Sequence, residues 1–137
     1  MRRSILLSMM IALTAAASCN THEEIDPLFL GNETVSLEIK GTVLFRFDDN
    51  SGQLGHNTGT HTFTAGNDDM TEYLWIRCSD EPLTEGQTVT ADMKWCAGSA
   101  TQSRRSQSLK VVKTDDQGHI WLWSGKDNVR AIVRRLD

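Results

Sequence analysis

The segment from Val35 to Phe47 most tightly constrains what this chain can fold into. Val35, Leu37, Ile39, Val43, Phe45 and Phe47 fall at odd positions, and Gly41 keeps the parity. Ser36, Glu38, Lys40, Thr42 and Arg46 occupy even ones. Alternation of period two turns one apolar face toward a core and one polar face toward water, the pattern of a strand rather than a helix. Thirteen residues in a single phase reach roughly 43 Å at ~3.3 Å each, too far for one straight strand of a small domain. Gly41 is therefore expected to bend the strand, so that it serves two parts of a sheet or turns a barrel corner.

The same punctuation continues along the chain. Residues 48–59 (DDNSGQLGHNTG) read as a long turn-rich loop. Short strands are expected at 60–65, 71–78, 87–96, 106–113, 118–124 and 128–136. Turn signals such as Gly66-Asn67-Asp68-Asp69, Glu85-Gly86, the 114–118 segment and the 124–128 segment separate them. This spacing predicts an all-β domain, a small antiparallel β-sandwich or barrel of about 7–8 strands closing in a C-terminal meander. The composition, 39% hydrophobic and 23% charged, is that of a folded domain rather than a disordered chain. There is no internal repeat and no low-complexity tract.

The first residues have a different character. Arg2-Arg3 precede an apolar run from Ile5 to Ala17, and small residues lead directly into a cysteine at Ala16-Ala17-Ser18-Cys19. That order is a positive n-region, an h-region and a cleavage site, and the run is too short for a stable membrane span. The tetrapeptide resembles the lipobox of bacterial lipoproteins. The resemblance implies cleavage before Cys19 and acylation of its thiol and new amino group, so that Cys19 anchors the protein in the outer membrane. It also divides the chain into a signal peptide (1–18), an acidic flexible tether (19–33) and a single β domain (34–137). Glu23-Glu24 resembles the short acidic signal that sends lipoproteins to the outer face in some Gram-negative groups. An ordinary solvated tether on the periplasmic side is the other reading.

Loss of Arg2 and Arg3 would leave 12 basic against 18 acidic side chains, a charge of −6. The acids crowd the first part of the mature chain. Arg104, Arg105, Lys110, Lys113, Arg130, Arg134 and Arg135 lie in the last third. An acidic protein outside the cytoplasm is a poor nucleic-acid binder. The basic strands either pair with acidic ones across the sheet or form a face for an anionic glycan or lipid headgroups. With Cys19 acylated, Cys78 and Cys96 remain, an even pair in an oxidising compartment. Alternation sets Cys78 on the Leu74/Ile76 face and Cys96 opposite Met93 and Trp95, so a bridge requires a bulge or a non-hairpin pairing.

Catalytic and metal-binding signatures are weak. Asp48-x-Asn50-x-Gly52 opens like a calcium loop, but its twelfth position is Gly59, so the template fails and an Asx-rich turn is expected. Asp68, Asp69, Asp115 and Asp116 read as turn residues too. His56 and His61 lack an evident third metal ligand. There is no Gly-x-Ser-x-Gly elbow and no phosphate loop. No cofactor is expected, and the sequence argues against an enzyme.

The aromatic residues are more informative. Tyr73 and Trp75 share one face of their strand, Trp121 and Trp123 share one face of theirs, and the opposite faces are apolar as well. Each pair is either core or a flat platform for a sugar ring or a partner protein, and at least one of Trp121 and Trp123 is expected in the core. Three functional expectations follow: a lipid-anchored envelope protein acting as a binding or accessory subunit, a surface carbohydrate-binding module, or a structural or inhibitory envelope factor. Its expected partners are the membrane, through the anchor, and an envelope protein complex or glycan.

Overall fold

The computed structural model describes residues 25–48, 53–97 and 100–136. Cys19, Glu23-Glu24, Asn50 and Gly52 lie outside the described residues. A short helix, α1 (Pro27–Gly31), is followed by nine strands: β1 (Val35–Ile39), β2 (Thr42–Phe47), β3 (Gln53–Asn57), β4 (Thr62–Gly66), β5 (Glu72–Cys78), β6 (Thr88–Ala97), β7 (Gln102–Thr114), β8 (His119–Ser124) and β9 (Val129–Arg134). All nine form one antiparallel sheet in the order β2-β1-β9-β8-β7-β6-β5-β4-β3. Chain neighbours are thus sheet neighbours throughout, except that β9 returns to β1 while β2 and β3 stay unpaired with each other. The sheet curls into a half-barrel, bringing β2 opposite β5 and β6 and β9 opposite β4. The all-β expectation holds. Among the described residues no helix is long and apolar enough to cross a membrane.

Gly41 does not bend a continuous strand. Lys40 and Gly41 have φ of 55° and 81°, so the chain reverses in a two-residue turn and β1 and β2 form a hairpin. Positive φ at both central residues is the geometry whose twist matches flanking strands, and glycine takes it without cost. The shared parity across Gly41 also breaks. A register shift opposite Leu37/Glu38 rephases β2, leaving Phe45 inward and Val43 49% exposed. The loop expected over 48–59 contains a further strand, β3, paired with β4 from Gln53↔Gly66 to Asn57↔Thr62. Gly55 and the polar Gln53, His56 and Asn57 give β3 little strand signal.

Inward-facing residues form the main core, with Leu37, Phe63, Leu74, Ile76, Met93, Leu109, Ile120 and Leu122 each 2% exposed or less. The interior is packed by side chains; the gap between Val35, Phe63, Leu74 and Val133 has no room for a water molecule. A second, smaller core lies on the outside. Phe29 of α1 packs on Trp121 and Ile132, with Ile25, Leu30, Val112 and Trp123 around them. Asp26 caps α1 by accepting from the Leu28 amide at 2.9 Å, and Pro27 occupies the first helical position. The tether expected over 19–33 is therefore structured from Ile25 onward, because Ile25, Phe29 and Leu30 supply apolar surface for the outer face of β8.

Candidate functional site

The two aromatic pairs share the outer surface of the curled sheet but differ in what covers them. Trp121 is fully buried beneath α1, and its Nε1–H donates to the Phe29 carbonyl at 2.8 Å. The Lys113 ammonium lies 4.6 Å from its ring centroid and donates to the Leu30 carbonyl at 3.2 Å. Trp123 is half-buried, and its Nε1–H donates to Asn128 Oδ1 at 3.0 Å. This pair fastens the amino-terminal segment to the sheet, so Trp121 is a core residue and not a platform.

Tyr73 and Trp75 lie three strands away on β5, half-buried, and among the described residues no helix crosses them. Their surroundings follow from register. Trp75 stands between Thr64 of β4 and Lys94 of β6, and Tyr73 between Gly66 and Cys96. Arg77 stands between Thr62 and Asp92. Beyond β4, Gly55 of edge strand β3 lies beside Thr64. A Cβ at Gly55 would come within 2.4 Å of Thr64 Oγ1, and one at Gly66 within 2.6 Å of Met70 Sδ. Thr64 and Met70 thus lean over backbone that carries no side chain. The result is a groove of about 260 Å³ lined by Thr64, Met70, Tyr73, Leu74, Trp75 and Lys94. Met70 at its rim is 39% exposed.

Charge is unevenly placed around the indole. The Lys94 ammonium sits 4.9 Å and the Arg77 guanidinium 5.4 Å from the Trp75 ring centroid, within cation–π range. Arg77 is also paired with Asp92 at 3.2 Å. Asp92 accepts from the Ser106 amide at 2.9 Å, and that bond followed by Arg77 holds its carboxyl below the usual range. Lys94 has no carboxylate partner among the described residues.

Most of the cations expected to form a basic face are internally engaged. Arg130 is bound to Glu38 and, at 3.1 Å, to Asp26, and it lies over the Phe29 ring at 5.4 Å. Arg104 pairs with Asp127 at 3.1 Å, and Arg134 donates to the Gln117 carbonyl at 3.1 Å. These side chains fasten α1 and the turns.

His56 and His61 do converge, on a carboxylate the sequence did not single out. His56 Nε2 is 2.8 Å from Glu81 Oε2, and His61 Nδ1 is 3.3 Å from Glu81 Oε1. On its other side, His56 Nδ1 lies 3.1 Å from both the amide nitrogen and the carbonyl oxygen of Leu136. The His56 side chain is fully buried and stacks on Phe63 with centroids 4.5 Å apart. A ring so enclosed cannot meet a substrate; it ties the carboxyl-terminal segment and the β5–β6 loop to the end of the half-barrel. Among the described residues no group of three His, Cys, Asp or Glu side chains is placed to hold a metal ion.

Cys78 pairs in register with Ala91 and faces the core, while Cys96 pairs with Tyr73 and faces outward. They lie five rungs apart, about 17 Å at strand rise, and on opposite faces, so they are not bridged to each other. Burial, with a smaller contribution from Glu81, pushes the Cys78 thiol up to about 12. Of the turn acids, Asp69 accepts from the Thr71 amide and hydroxyl, and Asp115 from the amides of Gln117 and His119. Both serve as turn residues.

No family model, curated protein or solved structure matches the chain.

Proposed function

We propose that this chain is a lipid-anchored, non-enzymatic binding protein of the bacterial envelope that holds a saccharide on the open outer face of β5. The observation that carries the reading is the contrast between the two aromatic pairs. In one, Trp121 is buried beneath α1, whereas Tyr73 and Trp75 both remain half-exposed above a groove whose far side is formed by Thr64 and Met70 leaning over Gly55 and Gly66. A pyranose needs a flat apolar surface for its axial C–H face and hydrogen-bonding groups at the rim. The two aromatic rings supply the first, and the Thr64 hydroxyl supplies the second. The filled interior supports placing the ligand outside the half-barrel. The lipobox-like Ala16-Ala17-Ser18-Cys19 supports the anchor, which would hold the domain at the outer membrane with this face directed to the medium or the periplasm.

The test is a fluorescence titration of the mature chain with soluble envelope and extracellular oligosaccharides. Binding should perturb the tryptophan emission, vanish in Tyr73→Ala/Trp75→Ala and persist in Trp123→Ala. A double variant that binds like the wild type would overturn the assignment of the face. The anchor is tested separately: Cys19→Ala should remove the acyl chains and the membrane association together, and a variant still recovered lipidated in membranes would contradict it.

A further inference from the structure

Lys94 narrows the ligand class. It occupies the position on β6 directly opposite Trp75, its ammonium is 4.9 Å from the ring centroid, and its side chain is exposed. Other cations near the outer surface already have anionic or carbonyl partners: Arg77 has Asp92, Arg130 has Asp26 and Glu38, and Lys113 has the Leu30 carbonyl. The nearest acid on its own strand face, Asp92, is engaged by Arg77 and the Ser106 amide. Asp69, in the turn beyond Tyr73, is held by Thr71. Among the described residues, the groove wall thus carries one positive charge without an anionic partner, lying over a half-exposed indole, in a chain whose overall charge is negative.

Resting on the reading of this face as a saccharide site, we infer that its ligand is an acidic saccharide, one bearing a carboxylate or sulfate on the ring that stacks at Trp75. The ring provides contact area without selecting charge. The Lys94 ammonium gains a charge-assisted hydrogen bond only when the sugar brings an anion. A neutral sugar leaves it in water and gains nothing from it. A cation held over the aromatic ring therefore discriminates between two polymers of the same backbone shape, which an aromatic platform alone does poorly.

The test compares matched hexasaccharides by calorimetry on the mature chain: α-1,4-galacturonate against α-1,4-galactose, and β-1,4-mannuronate against β-1,4-mannose. At least one acidic hexamer should bind about tenfold or more tighter than its neutral counterpart, with an advantage that shrinks as salt rises. Lys94→Gln should erase that advantage and leave neutral binding unchanged, while Trp75→Ala should abolish binding of both with the fold intact by circular dichroism. Equal binding of acidic and neutral hexamers, insensitive to Lys94→Gln, would overturn the acidic class and leave the saccharide site standing. Acidic binding that survives Trp75→Ala would place the anion elsewhere and overturn the inference. If no hexamer binds, both the inference and the saccharide reading fall.

Discussion

At the scale of single residues, identical side chains in identical local patterns have opposite roles. Trp75 and Trp121 both sit outward on strands with apolar inward neighbours, and the sequence offers no local difference between them. What separates them is Phe29, 92 residues from Trp121 along the chain, whose carbonyl and ring close over Trp121. Trp121→Ala should cost roughly 3–5 kcal/mol, the range for emptying a large buried aromatic site. Trp75→Ala should cost about 1 kcal/mol or less, because the site is half-exposed and its cation contacts are weak in water. Thermal or urea unfolding of the two variants reads the difference, and comparable losses would contradict the assignment. Cys78 gives a second test. With its thiol held up to about 12 by burial first and Glu81 second, it should resist alkylation at pH 8 in the folded chain and react on unfolding. Since the unfolded thiol ionises near its ordinary 9.0, stability should also decline as pH rises past that value. Rapid modification of native protein would contradict the burial. That Cys78 faces inward and Cys96 outward was legible from alternation alone. The His56–Glu81 contact was not, since Glu81 reaches His56 from a loop 25 residues away.

At the scale of elements, most strands could be placed from turn signals and period-two patterning, since a buried face and a wet face write themselves into every second residue. Three failures have physical causes. A two-residue turn sets Ile39 opposite Thr42 and shifts the phase, but the bulge opposite Leu37/Glu38 restores it from Phe45 onward, so the run of odd apolar residues hides the hairpin. β3 is an edge strand with Gly55 at its centre and carries almost no apolar signal. The segment before Thr34 was misread for the opposite reason: its apolar residues are few, but they are matched to one outer patch. Arg130 holds that segment through Asp26 and Glu38. Arg130→Ala should loosen α1 and destabilise the domain by roughly 1–2 kcal/mol, discounted because both carboxylates are partly exposed. Amide exchange at residues 28–32 should accelerate while β4–β6 stay protected; unchanged exchange would refute the latch. Acid should act in the same direction. The Leu28 amide, then Arg130, holds the Asp26 carboxyl below its ordinary 3.8. A carboxyl lowered on folding contributes stability above that value and loses it as pH falls through the folded pKa. Release of α1 is therefore expected below about pH 4, seen as a gain in Trp121 solvent quenching, and absence of that gain would count against the Asp26 contact.

At the scale of the whole molecule, the nine-stranded sheet runs in chain order around a filled interior, closes through the β9–β1 ladder and leaves β2 and β3 apart. Such a body offers a ligand its outside, and α1 covers one part of that outside while β5 stays open. The all-β class was readable in the sequence because it depends on many repeated local signals. Which aromatic pair is open was not, because it depends on one docking event between distant segments. The division of the outer surface into a covered and an open aromatic pair is the claim on which the functional reading stands. Hydroxyl-radical footprinting of the mature chain, resolved residue by residue by mass spectrometry, tests it most directly. Met70, Tyr73 and Trp75 should oxidise rapidly, Trp123 more slowly, and Trp95 and Trp121 should stay protected until unfolding. Oxidation of Trp121 as fast as Trp75 in the native protein, or protection of both, would contradict the account.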